Sequence, residues 1–84
     1  MVEAMQKPLP DVLPATAFAA PAVSGDDVVY VSVEAFARAA GCTMEVAMDA
    51  LRIRDGLMLI ALQGRWFSPY HRSQLKALDL DGQD

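Results

Sequence analysis

Histidine and cysteine occur once each, as His71 and Cys42, and no apolar run exceeds the six residues from Leu57 to Leu62. A single cysteine excludes an internal disulfide framework, and one histidine beside it leaves no cluster with metal-ligand spacing. Six apolar residues are far short of the roughly 20 that span a bilayer as a helix, so no membrane role is expected. Glycine-rich phosphate loops, carboxylate pairs in a recognisable setting, and Cys/His or Ser/His pairings near a capping motif are also lacking. Neither an enzyme nor a cofactor is therefore expected. Apolar residues nevertheless make up 54% of the 84 residues, too many for a wholly disordered chain. These absences leave one small binding or regulatory domain, in a reducing, cytoplasmic setting. A chain of this size buries only about 60% of its unfolded surface, which leaves little room for a large cleft.

Charge is unevenly placed. Residues 28–78 hold six cationic side chains, Arg38, Arg52, Arg54, Arg65, Arg72 and Lys76, against four acidic ones, a local balance of +2. The flanks hold seven acidic residues against Lys7, a balance of −6, and together they give the formal −4 of the whole chain. The acidity belongs to the ends, and a weakly positive middle remains compatible with a nucleic-acid partner.

The first 25 residues are built differently from the rest. Pro8, Pro10, Pro14 and Pro21 fall among Ala, Val and Leu without helical or alternating period. Each proline removes a backbone donor and turns its predecessor away from helix. Residues 1–25 are predicted to be a disordered tail ending at Ser24-Gly25, residues 26–80 a folded domain, and residues 81–84 an acidic end. The apolar stretch Ala15 to Val23 invites comparison with a secretory signal, but Glu3 and the interrupting prolines argue against one.

From residue 28 the pattern is regular. Val28-Val29-Tyr30-Val31 predicts a short strand. Ser32 is placed to cap a helix with Glu34 in its first turn, burying Val33, Phe36, Ala37 and Ala40 before Gly41. Thr43 caps a second helix with Glu45 in its first turn. Its apolar face is Val46, Ala50 and Ile53 at i, i+4 and i+7, with Ala47 and Leu51 beside them, and it ends at Gly56. Leu57 to Leu62 predicts a strand, Gln63-Gly64 a two-residue hairpin turn, and Arg65-Trp66-Phe67 the return. Ser68-Pro69 has the form of an N-cap followed by proline at the first helical position, which predicts a last helix with Leu75 and Leu78 inside. The expected fold class is α+β, in the order strand, helix, turn, helix, β-hairpin, helix.

Ala37, four residues before the turn glycine Gly41, suits a close helix-turn-helix, and a following hairpin would make it a winged helix. Residues 32–41, SVEAFARAAG, resemble the opening of MerR-type and excisionase-like winged helix-turn-helix domains. Asp55-Gly56-Leu57 is similar to the close of their second helix. Arg65-Trp66-Phe67-Ser68-Pro69, with Leu75 ten residues after the arginine, resembles their wing segment. The resemblance covers residues 30–78 and implies a small winged helix-turn-helix that binds double-stranded DNA, usually as a dimer, and regulates transcription. Where the family tends to carry an arginine followed by aromatics, this chain has Ala47-Met48-Asp49-Ala50.

On that reading the second helix enters the major groove from Thr43 and Glu45. Arg38, Arg52 and Arg54 meet phosphates, and Arg65, a solvated hairpin-edge arginine, clamps backbone beside Trp66. Trp66 and Arg72 complete the expected DNA-binding set, although Arg72 falls where the family commonly has an apolar residue. Phe67 reads as core, Cys42 as a packed small residue, and His71 as a surface histidine. The apolar excess predicts a homodimer, with Met48, Leu59 and Leu78 as contact candidates. The alternative from the residues themselves is a protein-binding inhibitor or adaptor that keeps this fold without a DNA surface. The uncharged middle of the second helix favours it.

Overall fold

A computed structural model of the chain describes residues 9–80; residues 1–8 of the expected tail and the acidic end 81–84 lie outside the described residues. The described residues form a small α+β domain. Its strands are β1 (Val12–Pro14), β2 (Val28–Ser32), β3 (Ile60–Leu62) and β4 (Arg65–His71), and its helices α1 (Val33–Ala40) and α2 (Met44–Asp55). The strands make one antiparallel sheet in the order β1-β2-β4-β3.

Local signals set most of these boundaries. The Ser32 hydroxyl accepts from the Ala35 N–H at 3.1 Å, starting α1, and the Thr43 hydroxyl accepts from the Val46 N–H at 3.2 Å, starting α2. Between them Gly41 takes the left-handed conformation, φ 70°, that closes a helix cheaply only without a Cβ. Gln63 and Gly64 both have positive φ, 51° and 80°, the two-residue hairpin geometry that suits the twist of its strands.

Strand alternation gives the sheet two covered faces. Val29, Val31 and Tyr70 face the helices and pack with Val33, Ala37, Ala47 and Leu51. Tyr30 and Phe67 face the other way, and there the cover comes from Leu13, Ala15 and Phe18. This corrects the expected tail over residues 9–25. Its prolines do exclude an α-helix, leaving only a 3-10 turn at Ala15–Ala17, but β1 is an edge strand, where the missing donor of Pro14 is tolerated. The Phe18 ring lies 4.7 Å from Tyr30 and 5.6 Å, edge-on, from Phe67. The buried Tyr30 hydroxyl donates to the Val23 carbonyl at 2.8 Å and accepts from its N–H at 2.6 Å. The segment is thus fastened twice to β2, by the β1 pairing and by the Val23–Tyr30 bonds.

Two further expectations change. Ser68-Pro69 does not open a helix: both residues lie within β4, opposite Val31 and Tyr30. β3 pairs only as far as Phe67, so a proline two residues on leaves no β3–β4 bond unmade. The expected last helix shrinks to a 3-10 turn, Arg72–Lys76, capped by the His71 side chain. In α2 the buried residues are Ala47 and Leu51, while Val46, Ala50 and Ile53 are exposed. The strand expected over residues 57–62 is confined to Ile60–Leu62, after a 3-10 turn at Gly56–Met58.

Candidate interaction site on helix α2 and the hairpin

The expected phosphate-binding arginines divide between two sides of the sheet. Neighbouring residues of a strand point to opposite faces, so Arg65 and Trp66 part company on β4. Trp66 turns toward α2. Arg65 turns toward the N-terminal segment, over the Phe67 ring, with its side chain 21% exposed. Its guanidinium donates to the Leu9 carbonyl, to Asp11 Oδ1 at 2.9 Å and to Glu34 Oε1 at 2.7 Å. The expected solvated edge arginine is thus an internal clasp between β4, α1 and the segment before β1.

Asp11 is the hub of that clasp. Its Oδ1 also accepts from the Ser32 hydroxyl at 3.0 Å, and its Oδ2 is held by Arg38. Burial pushes the Asp11 carboxyl up, but hydrogen bonds from Ser32, Arg65 and Arg38 outweigh it and hold the group below the ordinary aspartate range. Sequence reading missed Asp11 and the structural use of Glu34. The partners lie 21 to 54 residues from Asp11, and nothing local to Asp11 announces them.

On the helix face, Arg54 is anchored rather than extended. It donates to the Ser68 hydroxyl at 3.0 Å, and its guanidinium stacks 4.4 Å from the centre of the Tyr70 ring. Arg52 is exposed and shares a shallow cleft of about 400 Å³ with Met48, Gly56, Leu59 and Trp66. Thr43 is occupied as the α2 cap, Glu45 is exposed in the first turn, and Arg72 opens the 3-10 turn, its N–H bonded to the Asp27 carbonyl. The structure therefore brings Arg52 and Trp66 together, places Glu45 on the same helix, and separates Arg38 and Arg65 from them.

The outward side of α2 is apolar as much as charged. Val46 is 55% exposed and Ile53 88%, with Ala50 between them and Trp66, 44% exposed, on the neighbouring hairpin. Met48, Leu59 and Leu78, the expected dimer contacts, instead pack against the core beneath. Among the described residues no helix is long and apolar enough to cross a membrane, and no three His, Cys, Asp or Glu side chains converge on a metal site.

Comparison of the chain with known families, curated proteins and solved structures finds no match.

Proposed function

We propose that this chain is a non-enzymatic, protein-binding module that keeps the layout of a winged helix-turn-helix and uses α2 with the hairpin as its contact face. The observation that carries this reading is electrostatic. Residues 9–25 belong to the folded unit, so Asp11 joins the domain and Asp26 and Asp27 sit at its surface. Residues 9–80 then hold eight acidic and six basic residues, a net −2 where the sequence middle alone suggested +2. Arg38, Arg54 and Arg65 are engaged within the fold, and the outward side of α2 presents Glu45 and Asp49. A domain that binds a polyanion needs a concentrated basic face, and its affinity comes largely from phosphate neutralisation. An apolar stripe beside mixed charges suits a protein partner better.

DNA binding and transcription regulation form the second reading. The order of α1, tight turn, α2 and hairpin supports it, as do the exposed Arg52, Arg72 and Lys76. Titrating the full chain against a random duplex over a salt series separates the two. The expected result is binding too weak to follow, or a nearly flat dependence on salt. A log–log slope near −3 or steeper, equivalent to about three or more neutralised phosphates at roughly 0.9 each, would return the chain to the DNA-binding regulators.

A further inference from the structure

The geometry points to a second copy of this chain as the partner that covers α2, its helix lying antiparallel to the first across a two-fold axis. This rests on the protein-binding reading above and names its partner. Val46, Ala50 and Ile53 stand at i, i+4 and i+7, so they form one continuous stripe along the helix. The core does not use it. Ala47 and Leu51 fill the inward side, and among the described residues Ile53 is the most exposed of the large apolar side chains. Such a stripe is the pattern by which one helix packs on another.

Charge order along α2 selects the occupant. Glu45 and Asp49 lie toward its N-terminal end and Arg52 toward its C-terminal end. A first-turn acid and a last-turn base are ordinary complements of the helix dipole, but Asp49 sits in mid-helix, beyond the reach of that effect. In an antiparallel pair centred between residues 49 and 50, Val46 of one copy faces Ile53 of the other. The same flanks meet across the axis, so Asp49 comes within a helical turn of Arg52 of the second copy, and the contact is repeated by symmetry. A parallel two-fold pair would set opposite flanks of the stripe against each other, so Asp49 and Arg52 would not meet across it. The surface is therefore complementary to itself in one orientation. A helix of this length is about 18 Å long. The contact falls at or below the small end of stable interfaces, roughly 1,200 Å², so the dimer is expected to be weak and concentration-dependent.

Sedimentation velocity of the full chain over a concentration series tests this. Wild type should pass from monomer to dimer in the micromolar range or just above it. Ile53→Asp should remain monomeric, with an unchanged circular dichroism spectrum because the side chain is exposed. Asp49→Arg and Arg52→Asp should each weaken self-association roughly tenfold through like-charge contacts. An equimolar mixture of these two variants should dimerise again, since both charges on one copy, at positions 49 and 52, then oppose both on the other. A wild-type monomer at all concentrations overturns the proposal, and so does a dimer indifferent to Ile53→Asp. If the monomer also shows no salt-dependent DNA binding, only the identity of the partner is wrong. If it binds random duplex with a steep salt slope, the protein-binding reading fails with it.

Discussion

Residues 9–27 contain Pro10, Pro14 and Pro21 and show no apolar period, yet they bury Leu13, Ala15 and Phe18 against the sheet. Helix α2 has a regular apolar stripe, yet it leaves Val46 and Ile53 in solvent. Periodicity marks a regular surface that something could cover, and says nothing about whether the cover lies within the chain. Lack of periodicity excludes a long amphipathic element, but three residues of edge strand and one well-placed ring are enough to seal a sheet. In this molecule the irregular segment holds the fold together, and the regular helix carries the surface available to others.

The comparison breaks or holds first at Phe18. Its ring touches both Tyr30 and Phe67, and it is 5% exposed. Replacing a buried phenylalanine with alanine costs about 3–5 kcal/mol, against a total stability of order 5–15 kcal/mol for a domain. Phe18→Ala should lower the thermal midpoint by more than about 12 °C, at 4–8 °C for each kcal/mol in a domain of this size. Thermal unfolding followed by circular dichroism reads this directly. A shift of only a few degrees would mean that the segment contributes little and that a disordered tail was the better description.

Sequence reading succeeded where the cause is local. Ser32, Gly41, Thr43 and the Gln63-Gly64 pair act within four residues of themselves, and each sits where capping and turn chemistry put it. It failed where the cause lies elsewhere in the chain. Ser68-Pro69 has a genuine helix-start pattern, but pairing with Val31 and Tyr30 on β2 overrides it. In the sequence Arg65 reads as an edge charge, because its partners Asp11 and Glu34 are 54 and 31 residues away. The charge balance of the candidate site is illegible in the sequence for the same reason. Acidic residues assigned to a separate tail belong to the domain, and their association with the domain's arginines depends on the folded chain.

The Arg65 clasp sharpens the comparison at an intermediate scale. Arg65→Ala removes charged hydrogen bonds to Asp11, Glu34 and the Leu9 carbonyl, at about 2 kcal/mol for a partly buried group of this kind. Arg65→Lys should recover only part of it, because an ammonium cannot reproduce the planar fork. The same clasp fixes a pH dependence. Asp11 has a folded-state pKa below its unfolded value of about 3.9, so its contribution is fully present above that value. It is lost as pH falls through the folded pKa. Stability of wild type should thus decline below about pH 4 more steeply than that of Asp11→Asn, measured by denaturant unfolding across pH. Parallel declines in the two proteins would show that the carboxylate is not held in its charged form by the fold.

The smallest expected effect is the most informative about α2. Ile53 is 88% exposed, and serine and isoleucine have similar helix propensities, so Ile53→Ser leaves the isolated fold almost untouched. At high dilution its stability should match wild type within about 0.5 kcal/mol, the usual range for a surface change away from special features. The contrast with Phe18→Ala should then be at least fivefold in free energy, although both residues are large and apolar. A difference should open only as concentration rises. A partner that binds the native state raises the midpoint by mass action, so wild type should gain stability with concentration while Ile53→Ser does not. Suppose instead that Ile53→Ser lost more than about 1 kcal/mol at high dilution, beyond what an exposed side chain contributes. Ile53 would then be packing within its own chain, and α2 would present no free stripe for a partner to cover.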